Sequence, residues 1–321
     1  MVETGWQEVI DEGVNDSSRL NAPVHVSGRK LRTLPTFVRV LCFILVLGLV
    51  VSVGELIAYN AIPTQPVTVT KENYEEFFRR NGYAHSNYNA KTGVQTLTAD
   101  KIGWQLGRAE IKDKIDFAKD FKLEMLVNLG NKTSEEGGAD GMAFFFHPGS
   151  VDEIGGPGGA LGVSGYSEAG IQGAFGFKLD TFCNQADNAR HRWYSVDPQQ
   201  FAGKAFGAFI STQGVDKTGR RDRAIAPGYG QIISSPAPRE IPRPSGNKFR
   251  RFSLRYDAST KRMTVDYAGI QWSRRINDWL KGYDGMYFTI SGATSEKYAN
   301  EHQFILQKLE YTPVKVIAKF F

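Results

Sequence analysis

Cysteine is nearly absent from this chain, which has only Cys42 and Cys183 among its 321 residues. Cys42 lies in an apolar stretch near the N-terminus, and Cys183 lies in a stretch of small and aromatic residues in the middle of the chain. This separation predicts no internal disulfide. The length is sufficient for one large domain or two ordinary ones.

Strong charge of one sign is missing as well. The 39 Lys and Arg residues and the 34 Asp and Glu residues leave a net charge of +5, which is too small and too dispersed to indicate nucleic-acid binding. The chain also lacks a phosphate-binding loop, because the glycine-rich residues 155–162 have no Gly-Lys-Ser/Thr ending and no helix after them. Residues 162–165 lack the frame of a serine-nucleophile turn.

Only one long apolar run is present, at residues 40–53. Its 14 residues are short for a membrane span and typical of a signal-peptide core, and basic residues lie only on its upstream side. We therefore predict that residues 37–59 form either a signal-peptide core or an uncleaved signal-anchor transmembrane helix. A buried core helix is the less favoured alternative. Both favoured predictions leave the N-terminus inside the cell and the rest of the chain outside.

The flanks of this segment are polar. Residues 1–36 have no clear period and are predicted to be disordered, as a cytoplasmic region or the leading part of an extended signal. Residues 60–71 contain two prolines and are predicted to be an extended linker. Extended signals and a lack of disulfides are both ordinary for secreted proteins of Gram-positive bacteria, so an extracellular or cell-surface location in such a bacterium is expected.

The body of the chain has mainly a period of two. Residues 121–127, 251–256, 263–267, 286–290 and 304–306 predict strands, and turn-rich stretches separate them. Only residues 71–80, with residues 277–280 as a second candidate, have a helical pattern. Many short strands without intervening helices predict an antiparallel sandwich or barrel. We expect one large all-β domain at residues 72–312 and a short tail at 313–321.

Oxygen-bearing groups alternate after one predicted strand. Asp180, the backbone carbonyl of Phe182 and Asn184 lie two residues apart, so they can converge where the strand turns. Oxygen-only clusters of this kind suit calcium. A solvated polar turn is the alternative from this segment alone.

Three further loops are candidates for binding. Asp140 stands between small residues, and its carboxylate could accept two sugar hydroxyl hydrogens at once. Gly159 lies in the glycine-rich loop 155–162, whose backbone N–H groups could line a shallow pocket. Thr294 and Ser295 follow another predicted strand. Ordinary tight turns are the alternative for all three.

These segments occur in an order that resembles the legume-type (L-type) lectin family, most closely its bacterial surface-adhesin branch. The resemblance covers about residues 72–312 and implies a concanavalin-A-like jelly-roll β-sandwich with a glycan pocket built from four loops at one edge. The matching segments are residues 139–144, 158–162, 176–184, 206–209 and 291–294.

The resemblance also implies roles for single residues. Asp140 would be the sugar-binding acid after a cis peptide bond from Ala139, and Gly159 would supply a backbone donor. Asn184 would contact both calcium and sugar. The variable fourth loop would contain the last two carbohydrate-binding candidates, Thr294 and Ser295.

The metal site implied by the resemblance is a calcium site. Its ligands would be Asp180, the Phe182 carbonyl, Asn184 and one more aspartate, for which Asp197 is favoured over Asp187 because Pro198 and the strand at 206–209 follow it.

One position departs from the pattern of the plant members. They place a Glu two residues before the calcium Asp and a His after the second Asp to hold a transition metal, whereas this chain has Lys178 at the first position and no matching His. An ammonium group would repel a second cation. We expect Ca²⁺ as the cofactor and no manganese site.

The expected function is calcium-dependent binding of glycans on host or neighbouring cells by an extracellular lectin module, without catalysis and without nucleic acid. The membrane would be a partner only through an uncleaved N-terminal segment. The first alternative is a stalk or protein-binding module with a decayed sugar site. The second is a glycoside hydrolase on the same sandwich, which is disfavoured because the chain has no Glu-x-Asp-x-x-Glu triplet.

Overall fold

The computed structural model describes residues 35–61, 64–82, 86–101, 103–150, 153–164, 170–184, 197–213 and 231–315. The chain divides into two units, Met1–Ile62 and Pro63–Phe321. The first contains helix α1 (Thr36–Ala61), whose residues include the apolar run. Among the helices of the described ranges, none combines the length and apolarity needed to cross a membrane.

The second unit consists almost entirely of strands. A four-residue helix, α2 (Tyr74–Phe77), and three short 3₁₀ turns at Ser134–Glu136, Gly158–Ala160 and Gln199–Phe201 are its other described elements. The strands are β1 (Val67–Val69), β2 (Phe78–Gly82), β3 (Asn87–Asn89), β4 (Val94–Thr98), β5 (Gln105–Ile111), β6 (Phe121–Asn128), β7 (Gly141–His147), β8 (Phe175–Asp180), β9 (Phe206–Ser211), β10 (Gln231–Ile232), β11 (Arg239–Glu240), β12 (Arg250–Asp257), β13 (Arg262–Tyr267), β14 (Ile270–Arg275), β15 (Tyr287–Thr294) and β16 (His302–Tyr311).

The strands form two antiparallel sheets. The back sheet has the order β14-β13-β12-β6-β16-β4-β3, with β1 paired to β16. The front sheet has the order β10-β9-β8-β7-β15-β5-β2, with β11 paired to β9. Neighbouring strands in each sheet are often distant in sequence, which is the mark of a jelly-roll sandwich. The predicted all-β sandwich is confirmed.

Alternating side chains build the main core between the sheets. In β12, Phe252, Leu254 and Tyr256 are buried while the residues between them are partly or fully exposed. Phe144 of the front sheet stacks on Phe252 of the back sheet with ring centroids 4.0 Å apart. Burial of such faces supplies the main stabilisation of the sandwich.

A second apolar cluster lies on the other face of the front sheet. Phe145 and Leu106 belong to it, and Leu161, Val163 and Ile171 from the segment after β7 cover them. The front sheet is therefore buried on both faces, and the covering segment brings the glycine-rich residues 155–162 to one end of the sheet.

The helical prediction for residues 71–80 is largely wrong. The helix is limited to Tyr74–Phe77, and Phe78–Gly82 forms strand β2 beside β5. Phe78 is buried in the main core, so tertiary pairing overrides the local helical pattern. Residues 277–280 form turns rather than a helix.

Candidate functional site

A pocket of about 230 Å³ opens where five segments of the chain meet at one end of the front sheet. It brings together four of the five predicted carbohydrate-binding residues: Asp140, Gly159, Asn184 and Ser295. The remaining lining residues are Trp104, Gly158, Phe182, Glu296, Lys297 and Tyr298. Concave sites with a few convergent polar groups are typical of ligand pockets.

The ends of three strands fix Asp140. Its N–H donates to the Ala293 carbonyl at 2.9 Å, and its own carbonyl accepts from the Thr181 N–H at 2.8 Å. The Ala139–Asp140 peptide bond is cis, which confirms the expectation from the resemblance. The side chain is 1% exposed, and among the described residues its Oδ2 has no hydrogen-bond partner.

Gly159 and Asn184 lie in direct contact. A methyl group built on Gly159 would lie 2.2 Å from Oδ1 of Asn184, so only glycine allows this approach. Within the described ranges, the buried Asn184 Oδ1 has no hydrogen-bond partner either. Thus two unsatisfied oxygens, one from Asp140 and one from Asn184, are found at the same pocket.

Lys178 bridges the two aspartates beneath the pocket. Its Nζ lies 2.7 Å from Oδ2 of Asp180 and 2.6 Å from Oδ1 of Asp197. All three side chains are at most 2% exposed. The Lys178 ammonium also lies 4.9 Å from the centroid of the Phe206 ring. The alternation of β8 explains the pairing, since Lys178 and Asp180 point to the same face.

The second carboxylate oxygen of each aspartate accepts a backbone hydrogen bond from the chain after β8. The Phe182 N–H donates to Oδ1 of Asp180 at 2.9 Å, and the Asn184 N–H donates to Oδ2 of Asp197 at 2.6 Å. The Asp197 N–H returns a bond to the Asn184 carbonyl at 3.0 Å. Asp197 therefore adjoins the predicted calcium residues, while Asp187, the alternative ligand, lies outside the described residues.

The ionisation of this cluster is strongly perturbed. Burial, together with the charges of Asp180 and Asp197, raises the pKa of Asp140 well above its usual value despite the opposing Lys178. Burial also raises the pKa of Asp180 to about 7, with Lys178 opposing the shift and Asp197 adding to it. Burial alone would lower the pKa of Lys178, but the two carboxylates outweigh it and raise the pKa. One ammonium thus faces three buried carboxylates, and the raised pKa values of Asp140 and Asp180 show that ionising all three together is unfavourable.

The residues present fit a hard divalent cation. The candidate ligand atoms are all oxygens, and two oxygens at this pocket, on Asp140 and Asn184, lack hydrogen-bond partners among the described residues. Three carboxylates face one ammonium, so a divalent cation would favour their ionised forms. In the described part of the chain, no group of three or more His, Cys, Asp and Glu side chains could hold a metal. A cation here would therefore depend on amide and carbonyl oxygens as well as carboxylates.

Thr294 lies apart from the pocket lining. It is fully buried, and its hydroxyl donates to the Gly103 carbonyl at 2.7 Å and accepts from the Gln105 N–H at 3.1 Å. Ser295 does line the pocket, where its N–H donates to the Tyr298 carbonyl at 3.1 Å. Thr294 thus braces the segment before β5.

Sequence inspection missed the aromatic rim. Trp104 is 43% exposed and Tyr298 is 36% exposed, and both line the pocket. The Tyr298 ring lies 5.0 Å from the ring of Phe182. Trp104 directly precedes a strand, where an aromatic residue normally indicates core, so only its exposure in the folded protein identifies it.

A separate buried polar cluster anchors the covering segment. Oε2 of Glu110 accepts hydrogen bonds from Arg108, from Nε2 of His147 at 2.9 Å and from Oγ1 of Thr289 at 2.7 Å. Arg108 also donates to the Glu153 carbonyl. These side chains are fully buried, so Glu110 is closed to a substrate and serves to hold the covering segment on the front sheet.

The two stacked antiparallel sheets and the oxygen-rich pocket at one end define a lectin-type sandwich. Residues 69–308 match the model of the L-type lectin domain, described as the legume lectin beta-barrel domain. The chain belongs to this family.

Curated relatives are adhesins. The chain is 35% identical over 257 residues to the "Serine-rich adhesin for platelets" of Staphylococcus aureus strain MRSA252, covering 79% of this chain and 18% of that protein. Against the protein of the same name from strain USA300 the identity is 36%, with 79% and 11% covered. The chain therefore spans less than a fifth of these relatives. The family and the adhesin relatives point to a protein that is not an enzyme.

Solved legume lectins share the fold. Lectin I-B4 from Griffonia simplicifolia, in a metal-free form, matches with a TM-score of 0.53 and 18% identity, over 77% of this chain and 100% of that one. Winged bean acidic lectin in complex with methyl-α-D-galactose matches with a TM-score of 0.51 and 17% identity, over 79% and 100%. At these identities the likeness concerns the fold alone.

Proposed function

We propose that this protein is a calcium-dependent, glycan-binding lectin module that serves cell adhesion. The observation that carries the proposal is the meeting of Asp140, Gly159 and Asn184 in one pocket, with an unsatisfied oxygen on the acid and on the amide. A carboxylate, an amide and a backbone N–H together can accept from and donate to sugar hydroxyls. The adhesin relatives support the adhesive role.

The proposed calcium ligands are Asp180, the Phe182 carbonyl, Asn184 and Asp197. Bound calcium would offset the negative charge of the cluster and fix the Asn184 amide at the pocket floor. Asp140 orients the sugar from the end of β7, and Lys178 keeps the two buried aspartates together. We also propose that the protein holds no transition metal, because the Lys178 ammonium binds Oδ2 of Asp180 and Oδ1 of Asp197, where a second cation would have to bind. The other oxygen of each carboxylate faces the chain at Phe182 and Asn184, which is the side proposed for calcium.

A single ring in this shallow polar pocket is expected to bind with a dissociation constant on the order of millimolar, since few contacts offset the cost of ordering the sugar. Adhesion would then require several copies acting together. We propose a location outside the cell, on the basis of the adhesin relatives and the apolar N-terminal run.

A glycan array probed in calcium and again in EDTA tests this function. Binding to specific glycans in calcium, and its loss in EDTA, is the expected result. An absence of hits in calcium would favour the decayed interaction module instead. Hydrolysis of a β-glucan or galactan panel would support the glycoside hydrolase alternative. That alternative is disfavoured because Glu110 is fully buried and cannot reach a glycosidic bond.

A further inference from the structure

Trp104 lies outside the four loops in which the sugar-binding residues were expected. It follows β4 and precedes β5, yet its side chain lines the same pocket as Asp140 and Asn184. The ring is 43% exposed. A tryptophan kept this exposed beside a polar pocket offers a flat apolar surface to a ligand.

Hydrogen bonds hold the residues directly before and after Trp104. The Gln105 side chain accepts from the Ala99 N–H at 2.9 Å and donates to the Ala99 and Lys101 carbonyls at 3.0 and 2.6 Å. On the other side, the buried Thr294 hydroxyl ties down Gly103 and Gln105. The backbone on both sides of Trp104 is therefore held before a ligand arrives, which reduces the ordering cost of binding.

The order of contacts along the pocket wall locates the ring. A methyl group on Gly159 would meet Asn184 Oδ1 at 2.2 Å, and a methyl group on Gly158 would meet Cζ3 of Trp104 at 2.8 Å. The wall thus runs from Asn184 over two successive glycines to Trp104. Trp104 therefore adjoins the pocket at Gly158, one residue along the turn from the Gly159 contact with the Asn184 amide.

We propose that Trp104 is a stacking platform for the second sugar ring of an extended glycan. This inference rests on the proposed glycan-binding function and narrows its ligand to glycans of at least two residues. The apolar C–H face of the second ring lies on the indole, while Asp140 and Asn184 hold the hydroxyls of the first ring. Trp104 then contributes to specificity through the linkage between the two rings.

The test compares wild type, Trp104→Ala and Trp104→Phe in calcium. The probes are the strongest oligosaccharide from the array and its terminal monosaccharide, titrated by calorimetry or nuclear magnetic resonance. Trp104→Ala should weaken oligosaccharide binding about tenfold, a loss of about 1.4 kcal/mol, while the monosaccharide changes by less than about twofold. Trp104→Phe, which retains a flat ring, should recover most of the affinity.

Tyr283→Ala is the matched control, because Tyr283 is 37% exposed but does not line the pocket. It should leave both affinities unchanged, and thermal melts should match for all variants. Equal weakening of both ligands, or no weakening by Trp104→Ala, overturns this inference while the function stands. Failure of the wild type to bind any glycan overturns the function and this inference together.

Discussion

Lys178 carries one positive charge between two buried carboxylates, and its loss would leave both aspartates uncompensated. Removing one partner of a buried ion pair usually costs about 3–5 kcal/mol. Lys178→Met should therefore lower the free energy of unfolding by about this amount in the absence of calcium. Urea denaturation monitored by fluorescence measures the change.

Lys122→Met provides the control for this substitution. Lys122 pairs with Glu124 at 2.9 Å, but both side chains are 43% exposed, so solvent screens the pair and its loss should change stability far less than the loss of Lys178. Similar losses for the two variants would contradict the structural role of Lys178.

His302 offers a pH-dependent prediction. Burial lowers its pKa from 6.5 to about 3, and its Nδ1 lies 2.7 Å from the Thr98 hydroxyl. Below pH 6.5 the unfolded chain takes up a proton that the folded protein refuses, so stability falls as pH decreases towards 3. The loss approaches about 1.4 kcal/mol per pH unit within this window.

His302→Gln isolates this contribution from the other titrating groups. The difference in unfolding free energy between wild type and variant should shrink as pH falls from 7 to 4, because the variant lacks the imidazole. A difference that stays constant over this range would show that His302 does not titrate as its burial implies.

The sequence was most informative about residues whose type and order are distinctive. Asp140, Gly159 and Asn184 were predicted from the ordered motifs, and the structure brings them into one pocket. Thr294 was predicted for the same pocket, but its buried hydroxyl is hydrogen-bonded to the backbone of Gly103 and Gln105. Exposure and hydrogen-bond partners depend on tertiary packing, so local sequence could not separate Thr294 from Ser295.

At the scale of elements, the contact between the Gly158–Ala160 turn and the end of β8 governs the pocket. Gly159→Ala should weaken glycan binding at least about tenfold, because the new methyl group collides with the Asn184 amide that must face the sugar. Calorimetric titration with an array glycan measures the effect.

Gly48→Ala is the control for this change, since a methyl group there meets nothing within 4 Å. It should leave glycan affinity unaltered. Unchanged affinity for the Gly159 variant would mean that the Asn184 amide is not held against this turn.

Strands with one buried face were easier to predict from the sequence than strands buried on both faces. The alternation at β6, β12 and β13 gave nearly correct bounds, because each strand has one buried and one solvated face. β7 and β8 are buried on both faces and have no such alternation, and their positions followed from the motifs. The segment at 71–80 was misassigned because pairing with β5 decides its conformation.

At the scale of the whole molecule, calcium should couple the pocket to stability. A ligand that binds only the folded state raises the unfolding free energy by about 2.7 kcal/mol at a concentration one hundred times its dissociation constant. Saturating calcium should therefore raise the melting temperature, and EDTA should reverse the rise. An unchanged melting temperature in calcium would argue against a site formed by Asp180, Asn184 and Asp197.

Metal selectivity is a separate prediction, which compares the binding of manganese with that of calcium. Elemental analysis of protein dialysed against both metals should find calcium and no stoichiometric manganese, because Lys178 lies between Asp180 and Asp197. Stoichiometric manganese would contradict the proposed role of the ammonium group.

The central claim is that Asp140 and a calcium-supported Asn184 together bind a glycan. Its most direct test is a glycan array of wild type and Asp140→Ala in calcium, with EDTA and calcium re-addition on the wild type. The account predicts wild-type hits that vanish in EDTA, return with calcium, and are absent from the folded Asp140→Ala variant. Hits that persist in EDTA or in Asp140→Ala would contradict it.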